Sequence, residues 1–218
     1  MAKEDRVILA VERSLLFPQG HFQGFRGAEE DYRTRILENY FWMRRGNYKD
    51  KHSAEGNPRF KHPIAYTLII NPQLKKAFAY QRATQDSRYH EKRLQGKWSL
   101  GVGGHIDIED AVKNVEDPIY ESLKRELGKE EVEFLGGELK EIRLLGYIND
   151  EEDSVGQVHF GMLYLATTDA PVVIPRDKEM EEGKLRTLAE LEQILANPNF
   201  TVEGWSKIAF EQLKAILS

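Results

Sequence analysis

The 218-residue chain contains no cysteine. That absence excludes a disulfide framework, a thiolate nucleophile and any cysteine-ligated zinc or iron–sulfur site, and it fits a reducing compartment. Long hydrophobic runs are missing too. The apolar stretch over residues 7–11 is too short for a signal-peptide core, and nothing approaches the roughly 18–20 apolar residues of a membrane span. Nor is there a basic excess, since 31 Lys and Arg stand against 36 Asp and Glu, a net charge of −5. A dedicated nucleic-acid binder normally carries the opposite balance, whereas a small phosphorylated substrate needs only a local basic pocket. Internal repeats and low-complexity tracts are absent, which argues against a solenoid. With 40% hydrophobic residues the chain can bury a core. The expectation is a soluble, cytoplasmic, globular protein with no nucleic-acid or membrane partner.

Residues 7–17 are rich in β-branched and large apolar side chains and read as a strand ended by Pro18-Gln19-Gly20. Residues 29–45 read as an amphipathic helix, because Tyr32, Ile36, Leu37, Tyr40 and Phe41 follow a three-to-four-residue period and Gly46 marks a stop. That aromatic stripe suits core packing. Residues 46–63 are polar and punctuated by Gly46, Gly56, Pro58 and Pro63. They make the best linker between an N-terminal extension, residues 1–59, and a main domain over residues 60–218. Strands are expected at 64–70, 76–82 and 142–148. Residues 158–166 alternate with both faces apolar, as in a central strand covered on both sides. Helices are expected near 117–131, 188–195 and 203–217. Strands bracketing a helix, with more helices at the end, imply an α/β or α+β sandwich.

The chemistry concentrates in residues 98–131. Asp117-Pro118 is a strong helix start: the carboxylate can cap free N–H groups, and proline fits the first helical position. At about 100° per residue, Ile119, Tyr120, Leu123 and Leu127 form an apolar stripe with Glu126 and Glu130 at its margin. Carboxylates four residues apart repel by a few tenths of a kcal/mol, and a divalent cation turns that repulsion into coordination. The alternative is a solvated helix in which Glu121 pairs with Arg125 and Glu126 with Lys129. Ahead of the helix, Gly103-Gly104 follows a strand-like Trp98-Ser99-Leu100 and lets the backbone turn sharply or approach a phosphate.

Taken with Arg125-Glu126-Leu127 and Glu130, the glycine pair resembles the Nudix hydrolase signature. That signature reads Gly, five residues, Glu, seven residues, Arg-Glu, an aliphatic residue, any residue, Glu-Glu, any residue, Gly, aliphatic. In this register Asp117 stands at the first Glu, Lys129 at the first member of the Glu pair and Val132-Glu133 at the final Gly-aliphatic pair. Residues 105–116 make twelve where the family has five. A strand ending at Arg82 and a Trp at position 98 match the family's surroundings, and the resemblance covers about residues 60–218.

The resemblance implies an α/β (α+β) Nudix-type sandwich: a mixed central sheet between helices, here preceded by a strand–helix extension. It also implies hydrolysis of a diphosphate linked to another moiety, with Mg²⁺ or Mn²⁺ as cofactor and a nucleotide derivative as substrate. By position Glu126 and Glu130 are the implied metal ligands, Arg125 orients a glutamate, and Gly103 and Gly104 hold the loop. Glu181 and Glu182, in an expected loop with Glu179, are the implied source of a general base, with Glu151, Glu152 and Asp153 as rivals. Arg82, Arg88, Lys92, Arg93 and Lys97 concentrate positive charge before the glycines, and Arg82 and Trp98 are expected to meet substrate. His105 either contacts substrate or metal or is a hydrogen-bonded structural histidine. Lys129 and the enlarged loop keep a second reading open, a Nudix-fold binding or regulatory module with weakened catalysis. The isoprenoid diphosphate isomerase branch resembles residues 98–105, but it relies on a cysteine. Residues 1–59 have no counterpart and could cover the active site or mediate homodimerisation.

Overall fold

The β-branched run near the N-terminus forms strand β1 (Val7–Glu12) and then coils into a single helical turn, α1 (Arg13–Leu16). Along the chain follow β2 (Gly24–Gly27), α2 (Tyr32–Asn39), β3 (Tyr40–Arg44), β4 (Phe60–Asn71), β5 (Lys76–Arg82), β6 (Trp98–Ser99) and β7 (Gly101–Val102). Helices α3 (Ile108–Lys113) and α4 (Pro118–Arg125) come next, and a π-turn over Glu126–Glu130 continues α4. The remaining elements are β8 (Val132–Leu135), β9 (Leu139–Asn149), β10 (His159–Thr168), β11 (Val172–Pro175), β12 (Met180–Thr187), α5 (Leu188–Ala196) and α6 (Gly204–Leu217). This computed structural model describes residues 2–84 and 92–218. Hydrogen bonds join the longer strands in the order β12–β5–β4–β10–β9–β2, and antiparallel ladders together with a parallel bridge at Trp98–Val202 make the sheet mixed. β10 is buried along nearly its whole length, as its two apolar faces require.

Two units are distinguishable. The first comprises residues 1–65, 104–124 and 145–162. Within it β1 pairs antiparallel with β3 from Val7–Arg44 to Val11–Tyr40 and meets β4 at Val11–Lys61. The expected helix over 29–45 therefore ends at Asn39. Tyr40, Phe41 and Trp42 are better strand than helix formers, and the edge of β1 gives them a ladder to complete. The expected strand over 7–17 likewise stops at Glu12, because the Phe17 N–H closes a helical turn on the Arg13 carbonyl at 2.9 Å. Phe17, Phe22, Tyr32, Tyr147 and Phe160 pack as an aromatic core, with Tyr32 and Tyr147 centroids 5.1 Å apart. The polar stretch 46–63 is no exposed linker. Ser53, Ala54 and Glu55 are buried, and the Ser53 hydroxyl donates to the Asp50 carbonyl at 2.7 Å, folding the segment onto itself.

The second unit comprises residues 66–103, 125–144 and 163–218. In it β5 is flanked by β12, from Met180–Arg82 to Thr187–Lys76, and by β4 at Ile70–Ala77, while β8 and β11 form a separate two-stranded sheet. Thr187 caps α5 through a reciprocal pair of bonds with Glu190, and α5 packs on β5 and β12. The helices at 188–196 and 204–217 fall where the periodicity places them.

Candidate active site

Asp117 starts the helix that carries the acidic group. Its Oδ1 accepts from the Tyr120 N–H at 3.0 Å, and its other oxygen pairs with Arg33, so the fold takes up both. The twelve residues before it are not a plain loop: they hold α3, closed by a capping box between Asp107 and Asp110.

The helix does not stay α-helical to its end. Over Glu126–Glu130 it widens, and the Glu131 N–H bonds the Glu126 carbonyl at 2.9 Å, five residues back rather than four. A residue whose N–H closes on residue i stands one turn above it. Glu131 is thereby brought round beside Glu126, with Glu130 on the other side of it. Gly128 sits inside this turn, where its poor helix preference (about 1 kcal/mol in a regular helix) is of least consequence.

Glu126 is 4% exposed, and its carboxyl hydrogen-bonds to that of Glu131, which requires one of the two to carry a proton. Burial, opposed by Arg125 and reinforced by Glu130, pushes Glu126 up to about 7. Burial and the neighbouring Glu126 push Glu131 well above the usual carboxylate range. The Arg125 guanidinium spans the group, with Nη1 2.7 Å from Glu126 Oε1 and 2.7 Å from Glu130 Oε2. Two carboxyls, those of Glu126 and Glu130, thus share one guanidinium.

Arg82, at the end of β5, is among the positive charges that oppose the rise at Glu131. It is anchored there by Glu203, with Nε 2.5 Å from Oε1, while the Ser99 hydroxyl lies 2.8 Å from the other oxygen. Trp98 is a core side chain, 2% exposed, with the Arg186 guanidinium 4.7 Å over its ring. Gly103 adopts φ +155°, a conformation L side chains rarely take, and so permits the turn out of β7. Glu181 and Glu182 lie within β12 rather than in a loop, because residues 180–187 complete the edge of β5. A bulge there holds Glu182 at φ +50° with its side chain 68% exposed. Glu151, one of their rivals, is bound by Lys61 at 2.8 Å and Arg13 at 2.9 Å. Arg88 and the side chain of Lys129 lie outside the described residues.

His105 belongs to the first unit, where it joins Glu55, His62 and His159. The last three were not singled out from the sequence. Glu55 and His62 fell there within the linker stretch 46–63, and His159 within the apolar strand 158–166. Burial lowers both His62 and His105, the latter to about 3, so these rings are neutral.

No family model matches the chain. Tm1382, a candidate Nudix hydrolase, is 27% identical, the likeness covering 96% of this chain and 99% of that one with a TM-score of 0.73. A Nudix hydrolase from Alicyclobacillus acidocaldarius is 12% identical, covers 72% of this chain and 91% of that one at a TM-score of 0.53, and shares the fold. The architecture, shared with Tm1382 over nearly the whole of both chains, is that of a Nudix-type protein. More particularly, Protein YmaB of Bacillus subtilis (strain 168) is 34% identical over 220 residues, 98% of this chain and 100% of the relative. The chain belongs to the YmaB family. No helix among the described residues is long and apolar enough to cross a membrane.

Proposed function

We propose that the protein is a Mg²⁺- or Mn²⁺-dependent hydrolase of phosphoanhydrides that acts on a small phosphorylated substrate of the nucleotide-derivative class. The observation that carries this reading is the π-turn, which sets Glu126 and Glu131 on a shared proton and Glu130 on the same guanidinium. The donor set fits a hard divalent cation: all oxygen, and three carboxyls that raise one another's affinity for positive charge. Glu126, Glu130 and Glu131 would hold the ion, which when bound neutralises phosphoryl oxygens and makes a water more acidic. Arg125 keeps Glu126 and Glu130 oriented toward each other. Arg82, steadied by Glu203, supplies a fixed cation beside Glu131 for an anionic substrate. Of the two acids suggested as general base, the bulge favours Glu182, since bulges re-aim side chains beside active sites.

The π-turn also supports another register for the signature. One residue inserted inside the helix makes Glu130-Glu131 the Glu pair, and Lys129 then becomes the extra residue rather than a substitute for a ligand. No acid is then missing, which favours the enzyme over a module with weakened catalysis. The test is hydrolysis of nucleoside diphosphate sugars, dinucleotides and nucleoside triphosphates with Mg²⁺ or Mn²⁺. Glu126→Gln is expected to lower the rate by at least about 100-fold. Near-wild-type turnover in that variant rejects the site.

A further inference from the structure

Glu55, His62, His105 and His159 form a second cluster, which the proposed reaction does not use. Each offers one ligand atom, and the four atoms lie within 4.8 Å of one another. His105 Nε2 stands 3.1 Å from His62 Nδ1, 3.2 Å from Glu55 Oε1 and 3.3 Å from His159 Nε2, and His159 Nε2 stands 3.7 Å from Glu55 Oε1. These separations bracket the edge, about 3.4 Å, of a tetrahedron around an ion bonded at about 2.0–2.1 Å.

On two of the rings a hydrogen points away from this centre. His62 Nε2 faces the Ala54 carbonyl at 3.2 Å, and His159 Nδ1 faces the Val155 carbonyl at 2.7 Å. A carbonyl only accepts, so those nitrogens carry the hydrogens, which leaves His62 Nδ1 and His159 Nε2 turned inward as the ligand atoms. This is how metal-binding imidazoles are held. His105 Nε2 faces all three other ligand atoms, so the four donors converge on one point. Arg45 Nε lies 3.3 Å from Glu55 Oε1 and favours the ionised carboxylate. The backbone fixes the ligands before any ion arrives: the His62 N–H bonds the Val158 carbonyl at 2.8 Å, and His105 bridges to Ile64 on β4. Glu55, His62 and His159 are 4%, 0% and 6% exposed.

We propose that these four side chains bind one divalent transition metal in tetrahedral geometry, with Zn²⁺ the ion that three imidazoles and one carboxylate suit best. Mg²⁺ is excluded by preference, since it demands six hard oxygens. Four protein ligands leave no open position, so the ion is structural. It clamps the turn at residue 55, the start of β4, the segment after Gly104 and the start of β10 within the first unit. The inference stands apart from the hydrolase reading.

To test it, the full chain is stripped with a chelator, loaded with Co²⁺ or Zn²⁺ and desalted. The expected result is about one retained equivalent per chain, intense visible bands of tetrahedral cobalt, and X-ray absorption at the zinc edge showing about three imidazole ligands. The melting temperature should exceed that of the stripped chain. The double variant Glu126→Gln, Glu131→Gln should retain the ion and its spectrum, and His159→Gln should lose both. A folded wild-type chain that keeps no ion, or gives the pale spectrum of octahedral oxygen-bound cobalt, overturns the proposal. Retention by His159→Gln alongside loss in the double variant does the same. If His159→Gln does not fold, the wild-type cobalt spectrum and zinc edge decide alone.

Discussion

The two titratable clusters are opposite solutions to gathering donors in one place. At the end of α4, the acids come from one continuous stretch, residues 126–131, and are crowded by a helix that changes pitch. In the first unit, Glu55, His62, His105 and His159 arrive from four separate segments and are held by backbone bonds and outward-facing hydrogens. The acidic group offers only oxygens, with Glu130 46% exposed at its side chain, so it suits a hard ion that comes and goes with substrate. The histidine group offers three nitrogens in a buried setting and suits an ion that stays. What separates them is the source of the strain. Repulsion between carboxyls is stored in the first and relieved by a ligand, whereas the second is already complete in its hydrogen bonding outside the centre.

The sharpest way to break the comparison is to separate the three acids. If Glu131 stands beside Glu126, Glu131→Gln should lower turnover by at least about 100-fold, while Glu130→Gln, which sits nearer solvent, should cost only about 10-fold. Steady-state rates with Mg²⁺ decide it, and the reverse order would make Glu130 the partner of Glu126. A stored repulsion should also appear as instability. Without metal, Glu126→Gln is expected to raise stability by about 1 kcal/mol in denaturant unfolding, while losing activity. The first unit answers to acid instead. Although burial opposes it, the bonds to Lys61, Asn149 and Arg13 hold the Glu151 carboxyl below its ordinary value. A depressed carboxylate contributes stability that is fully present above its unfolded pKa, near 4.5, and is lost as pH falls through the lower folded value. Melting temperature should drop through that acidic window, and Glu151→Gln should flatten the drop. The smallest effect is expected from deleting Lys129. If it is the inserted residue, the deletion restores a regular helix with Glu130-Glu131 in register, and turnover stays within about threefold of the full chain. A collapse of activity would mean the wide turn itself is required.

The difference between the clusters also marks what was legible in the sequence. The acidic stretch is contiguous, so its spacing and flanking glycines pointed to the fold, the helix and Glu126 directly. The widened turn was invisible to a count that assumes 100° per residue, so Glu131 did not stand among the expected ligands. Glu181 and Glu182 looked like loop acids because β12 contains Gly183 and few apolar side chains, and only the edge of β5 makes it a strand. Residues 40–44 followed a helical period by coincidence of aromatics, and pairing with β1 overrode it. The histidine cluster left almost no trace: four residues from 55 to 159 share no spacing, and Glu55 lay in a stretch that polarity alone marks as linker.

Manganese soaked into a crystal of the full chain tests the central claim most directly. An anomalous peak bonded by oxygens of both Glu126 and Glu131, with the shared proton displaced, is the predicted result. A well-ordered π-turn whose two carboxyls stay bonded to each other, with no manganese beside them at saturating concentration, would contradict it.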